Sequence, residues 1–227
     1  MIDFNKNDIK QIRILKVFID ATSQIIEEEG LKGVTIRKVA KIAGYNSATI
    51  YNYFDNRNQL IFFAAMNFIS DYVQQVPNYM KQGDNTLERF LLMWECFCKY
   101  SFKQPKLYYA VFTEDIGDKP ENLMKNYFSL FPEKLGDPPQ ELVPILLESD
   151  LSKRTALAIQ PCVKEGYFSP EQAAEIDEMI TLTYHGMISL LLNNRVDYSA
   201  QEATDRIMKH IKNIVTKIAK LNHSTLS

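Results

Sequence analysis

Between Thr35 and Leu60 the chain reads TIRKVAKIAGYNSATIYNYFDNRNQL, and its two apolar stripes are so short that each can support only a brief helix. Ile36, Val39, Ala40 and Ala43 fall at i, i+3, i+4 and i+7, one buried stripe of a helix. Thr35 stands where an N-cap is wanted, and Gly44 follows the last apolar residue, where a left-handed glycine closes a helix. Asn46 supplies a second N-cap after a two-residue corner, and the next helix buries Ile50 and Phe54. At about 100° per residue, the opposite face carries Ala48, Thr49, Tyr51 and Asn52. Two short helices at such a corner form a helix-turn-helix.

The outward residues suit contact with duplex DNA. Alanine packs on a thymine methyl, asparagine pairs with adenine N6 and N7, and Thr, Ser and Tyr hydroxyls bind phosphates or bases. From Leu31 to Asn58, Lys32, Arg37, Lys38, Lys41 and Arg57 face Asp55 alone. Helix N-termini at Ile36 and Ser47 add backbone N–H groups for phosphate. The plainer reading of these residues is a helical hairpin with a solvated basic face.

The segment resembles the DNA-binding domain of the TetR family of bacterial transcription regulators. Thr35, Ala43, Gly44, Thr49, Ile50, Tyr51, Tyr53, Phe54, Arg57 and Leu60 stand at the positions of that family's pattern. Asn46 replaces the usual small hydroxyl residue, Ala48 the frequent glycine, Arg57 the usual lysine and Asn58 the usual acidic residue. The resemblance implies an all-α chain: a three-helix helix-turn-helix domain over 1–56 and a larger helical effector-binding and dimerisation domain over 57–227. It implies DNA contacts from Thr35, Arg37, Tyr45, Ser47, Ala48, Thr49, Tyr51, Asn52, Tyr53 and Arg57. Ala48 and Asn52 are the candidates for bases; Thr35, Arg37, Thr49, Tyr51, Tyr53 and Arg57 are those for phosphates.

A helix precedes this motif. Asn7 or Asp8 caps it, Leu15, Phe18, Ile19, Thr22, Ile25 and Ile26 line one face, and Gly30 ends it. Lys6, Lys10 and Arg13 at its start are within reach of a phosphate backbone. The net charge of −2 is uneven, positive through Asn58 and negative beyond it. The opening ten residues are polar and no apolar run spans a bilayer, so the expected location is the cytoplasm, away from membranes.

Beyond Leu60 the pattern stays helical. Helices are expected over Arg57–Met80 with Pro77 as a kink or end, Thr86–Lys103, Pro105–Phe112, Glu121–Leu130, Gln140–Glu148 and Leu151–Glu165. Gly117 marks an entry, and Pro132 with Gly136 to Pro139 marks a loop. Ile176, Ile180, Thr183, Met187 and Leu190 step by four and three, as do Ile207, Ile211, Ile214, Ile218 and Leu221. Such stripes fit long helices packed at a shallow angle, facing either this chain's own core or a second copy. In the family the last long helices pair between subunits, which implies a homodimer with Ile180, Met187, Ile207, Ile211, Ile214 and Ile218 at the interface.

Aromatic residues crowd the middle of the chain. Trp94, Phe97, Tyr108, Tyr109, Phe112, Tyr127 and Phe128, with Tyr184 and His185 further on, are the candidates to line an effector cavity, though for any one of them core packing is the simpler role. Glu95, Glu114 and Asp115 would suit a cationic effector only if turned inward. Cys96 and Cys98 lie about 200° apart on a helix and cannot share a metal or a disulfide. No glycine-rich phosphate loop, nucleophile elbow or His/Cys metal spacing occurs, so no catalytic residue, cofactor or metal is expected. The expected function is that of a repressor released from a near-palindromic operator by a small apolar or aromatic effector. The alternatives are a DNA-binding regulator or activator without effector, or a ligand-binding or catalytic protein that keeps the helix-turn-helix as scaffold.

Overall fold

A computed structural model describes residues 9–113 and 120–225, and their side chains through Thr113 and from Leu123 to Ala219. The readings placed on Lys6, Asn7, Asp8, Glu114, Asp115 and Gly117, and on the side chain of Leu221, lie outside the described residues. The described residues are helical, with no strand among them. The helices are α1 (Ile9–Glu29), α2 (Ile36–Ala43), α3 (Ser47–Ile50), α4 (Arg57–Met80), α5 (Thr86–Lys103), α6 (Pro105–Phe112), α7 (Pro120–Leu130), α8 (Pro132–Leu135), α9 (Val143–Leu146), α10 (Leu151–Lys164), α11 (Pro170–Leu192) and α12 (Ala200–Thr225). Pro77 and Pro161 sit inside α4 and α10. Each removes a ladder hydrogen bond, a defect of roughly 3 kcal/mol in a helix interior, yet both helices continue. Where one helix is expected over 140–148, a 3-10 turn at Gln140–Leu142 leads into α9, whose first turn contains Pro144.

The chain divides into two compact units, 1–71 with 106–136 and 72–105 with 137–227. In the first, α1 packs on α2 through the expected face, and Leu15, Phe18, Ile19, Thr22, Ile25 and Ile26 are all buried. Aromatic rings continue that core edge to face: Phe54 lies 5.6 Å from Phe63, and Phe63 lies 5.9 Å from Tyr127. The buried Tyr127 hydroxyl donates to Asn67 Oδ1 at 2.8 Å, and Asn67 Nδ2 donates to Ser23 Oγ at 3.3 Å. Those two bonds tie α7, α4 and α1 together.

In the second unit α12 packs along α5 and α11, and α10 packs on α11 and α5. Three helix starts are fixed locally. Asn85, Asp150 and Ser169 accept from the backbone N–H three residues on, and Ser169 with Gln172 completes a reciprocal capping box. Tyr184 is the centre of the core, ringed by Trp94, Phe97 and Phe102, and its hydroxyl shares a 2.6 Å hydrogen bond with Ser101. Buried Arg154 donates Nη2 to the Tyr72 hydroxyl at 2.8 Å and Nη1 to the Glu148 carbonyl at 3.0 Å. Burial pushes the Tyr72 hydroxyl up to about 12 although Arg154 opposes it.

The long-helix stripes divide differently from the expected interface. Ile180, Ile207 and Ile211 are 0% exposed and belong to this unit's own core, so they are corrected from interface to core residues. Met187, Ile214 and Ile218 are half-buried. The apolar side chains open to solvent on α11 are Met179, Leu182 and Leu190, with exposed Gly186 between them. Their steps of three, four and four keep them on one helical face.

Replacing Tyr184 with Phe should destabilise the protein by roughly 1–3 kcal/mol, because the Ser101 hydroxyl is left buried and unpaired. Adding Ser101→Ala should recover most of that loss. Urea denaturation of the two single variants and the double variant measures it.

Candidate nucleic-acid interface

The candidate surface rests on a short helix that cannot stand alone. α3 has a single α-helical turn, Ser47–Ile50, and the chain then tightens through Tyr51–Tyr53. Asn52 N donates to Thr49 O at 3.2 Å and Tyr53 N to Ile50 O at 2.9 Å, before Phe54 N returns to Ile50 O at 3.0 Å. The expected helix is therefore shorter than the Ser47–Phe54 pattern suggests. Three local devices hold it in place.

The first is the corner itself. Gly44 has φ +74° and ψ 25°, the left-handed conformation a Cβ would strain, and its N–H closes α2 on Ala40 and Lys41. The second is a pair of side-chain caps. Thr35 Oγ1 accepts from Lys38 N at 3.2 Å; Asn46 Oδ1 accepts from Thr49 N at 2.8 Å and from the Thr49 hydroxyl at 3.0 Å. The third is burial: Ile50 and Phe54 are fully enclosed, and Phe18 meets the rings of Tyr45 and Tyr53 edge-on at 5.2 and 5.6 Å.

Solvent meets the other face. Ala48, Tyr51 and Asn52 are exposed, Tyr51 by 55%, with Tyr45, Thr35 and Arg37 also exposed. Ser47, Thr49 and Tyr53 are half-buried. Of the basic residues nearby, Lys38 pairs with Glu29, whereas Lys32, Arg37 and Lys41 are exposed with no carboxylate partner among the described residues. Ile42 is exposed beside them, an apolar surface residue that the helical stripe gave no reason to single out.

Arg57 differs from expectation. Its Nε donates to the Val34 carbonyl at 2.7 Å and its Nη2 to the Leu31 carbonyl at 2.8 Å, so two of its nitrogens clamp the 31–34 turn onto the start of α4. These bonds give it a positioning role beside the expected phosphate contact. At the same junction the side chain of buried Gln59 accepts from Asp55 N at 2.7 Å, and its backbone N–H donates to Asn56 Oδ1 at 2.8 Å. Gln59 and Asn56 were passed over in the sequence, because side-chain bonds within an irregular junction leave no periodic pattern to match.

The aromatic candidates for an effector site divide between the two units. Tyr108, Tyr109, Phe112, Tyr127 and Phe128 belong to the first unit; Trp94, Phe97, Tyr184 and His185 belong to the second. Trp94, Phe97 and Tyr184 pack on one another, and Tyr127 packs on Phe128 and Phe131, as core rings do. His185 is half-buried, and desolvation lowers its pKa. Glu95 faces Lys212 at 3.4 Å in an exposed pair and does not turn inward. A cavity of about 590 Å³ does lie within the second unit, but none of the nine candidates lines it. All three cysteines are buried; burial raises the Cys96 thiol to about 12 and the Cys162 thiol to about 11, and Cys98 also upward. Such thiols are unreactive. No helix among the described residues is long and apolar enough to cross a membrane.

A helix-turn-helix on an otherwise helical chain is an architecture that DNA-binding transcription regulators use. Residues 18–63 match the family model described as bacterial regulatory proteins, tetR family. A similar sequence is the HTH-type transcriptional regulator HbdR of Aromatoleum sp. (strain CIB), 25% identical over 80 residues, 35% of each chain. The match thus spans about a third of HbdR's length. Two solved structures share the fold over most of both chains. A protein with unknown function from Rhodococcus sp. RHA1 has a TM-score of 0.60 at 13% identity, over 91% of this chain and 95% of that one. The fatty acid degradation regulator FadR from Bacillus halodurans has a TM-score of 0.54 at 16% identity, over 86% and 96%.

The clamp and the cap make separable predictions. Asn46→Ala should cost about 1 kcal/mol through loss of the cap. Arg57→Ala should cost roughly 1–3 kcal/mol, since two partly buried carbonyls lose a charged donor. Thermal and urea unfolding would read both, and an unchanged Arg57→Ala stability would remove the positioning role.

Proposed function

We propose that the protein is a ligand-responsive repressor that binds a near-palindromic operator as a homodimer and is released by a small, largely apolar effector. The observation that carries this reading is the exposed face of α3 and its following turn. Ala48, Tyr51 and Asn52 are exposed on a braced turn, and the same unit exposes Lys32, Arg37 and Lys41, none of which has a carboxylate partner among the described residues. In this reading residues 1–56 bind DNA and 57–227 bind effector and partner.

Ser47 to Tyr53 enters the major groove. Ala48 and Asn52 meet base edges, while Thr35, Arg37, Tyr45, Ser47, Thr49, Tyr51 and Tyr53 meet the phosphate backbone or the groove edge. One such turn reads few bases, so two copies on half-sites about one helical turn apart supply the specificity. The partner copy is seated on the open face of α11, at Met179, Leu182, Gly186 and Leu190, because a solvent-exposed apolar stripe of this kind is stabilised by a matching copy. Effector occupancy shifts the dimer toward a state whose recognition turns are wrongly spaced, with α4 as the continuous connection.

Binding to the DNA upstream of the protein's own gene, followed across a salt series, tests the reading. Sequence-selective binding with a steep salt slope is expected. Tyr51→Ala should weaken it by about tenfold or more while leaving the dimer intact on size-exclusion chromatography. Leu182→Asp should instead yield monomers and lose selective binding. Weak binding that is equal on every sequence, in a genome-wide selection as well, would sink the proposal.

A further inference from the structure

We propose that the cavity of the second unit is a binding site for an amphipathic monocarboxylate, with the apolar body inside and the carboxylate held at the rim by Arg89 and Lys81. This deepens, and rests on, the reading of the chain as an effector-responsive regulator.

The volume, about 590 Å³, falls within the range of roughly 300–1,000 Å³ typical of small-molecule sites. Ten of the fourteen residues that line it are apolar, which sets the character of the body it accepts. Four of those ten are prolines, Pro77 and Pro161 from inside α4 and α10 and Pro139 and Pro144 from the segment facing them. A proline wall offers no N–H to a guest, so it favours hydrocarbon over a hydrogen-bonding surface. Phe90, Leu142 and Leu157 complete an apolar lining.

Four polar residues remain, and their bonding separates them. The Thr86 hydroxyl donates to Glu165 at 2.7 Å and is engaged elsewhere. Lys81, Arg89 and Glu141 are exposed, and among the described residues no ion pair joins either cation to a carboxylate. Two cations against one acid leave an excess of one positive charge, which a single carboxylate neutralises.

Arg89 is also positioned. Its Nε donates to the Gly83 carbonyl at 3.1 Å, which leaves both Nη groups outside that bond. Gly83 is buried, and a Cβ there would stand 2.9 Å from the Arg89 backbone N, so only glycine lets the corner close so tightly. Asn85 caps α5, and Glu88 accepts from Asp84 N at 2.8 Å, which fixes the turn that carries Arg89. A guanidinium held by one nitrogen, with its terminal fork outside that bond, is suited to a carboxylate.

Isothermal titration of the full-length protein with decanoate, 4-phenylbutyrate and the neutral decan-1-ol tests this, with operator binding of the same preparation measured beside it. Saturable binding of a carboxylate, one per chain, is expected, with decan-1-ol weaker than decanoate by about tenfold or more. Arg89→Gln should abolish that preference, and Leu157→Trp, at a partly exposed position, should weaken all three ligands. No saturable binding of either carboxylate, equal affinity for the alcohol, or Leu157→Trp binding as the parent does, would overturn the site. Loss of this site with selective operator binding intact leaves the regulator standing; carboxylate binding without operator binding refutes the regulator and keeps the site.

Discussion

A helix of one turn cannot hold its own shape in water, because nucleation fixes several residues for a single hydrogen bond. That constraint governs the helix-turn-helix of this protein. α3 exists because its surroundings supply what its length does not: the Asn46 cap, the left-handed Gly44, and the enclosure of Ile50 and Phe54 beneath it. Arg57 extends the bracing outward, since it fastens the 31–34 turn to the start of α4 by two carbonyls. The exposed residues are therefore presented by a rigid support, which lowers the ordering cost of binding.

α4 carries this support onward in the chain. Its first residue, Arg57, belongs to the bracing, Asn67 lies midway in the Ser23–Asn67–Tyr127 chain of hydrogen bonds, and Pro77 and Met80 line the cavity. One helix thus carries residues from the recognition end, the aromatic core and the cavity wall. Buried polar groups near its second half follow the same economy. Tyr72 and Arg154 satisfy each other, and Ser101 satisfies Tyr184, so these cores stay specific without exposed bonds.

Much of this was legible from residue order. The stripes at Ile36–Ala43 and Leu15–Ile26, the caps Thr35 and Asn46, and the stop at Gly44 are local, and local patterns persist in the fold. Helix bounds at Thr86–Lys103 and Pro105–Phe112 agree with the pattern for the same reason. What was not legible shares a cause. The positioning role of Arg57 was hidden because its partners are backbone carbonyls more than twenty residues away. The division of the aromatic candidates between units was hidden because closeness in sequence, from Trp94 to Phe128, does not keep residues in one unit.

The sequence by itself determined the helical class, the helix-turn-helix and its outward face, since periodicity and capping are properties of neighbours along the chain. Tertiary structure alone decided which side of each long helix was already covered. Ile180, Ile207 and Ile211 and the open Met179, Leu182 and Leu190 all belong to apolar helices, and periodicity cannot tell a face turned to its own core from one left for a partner. The cavity likewise arises from residues of α4, α5, α10 and the 139–145 segment brought together by packing, a juxtaposition that no local pattern records.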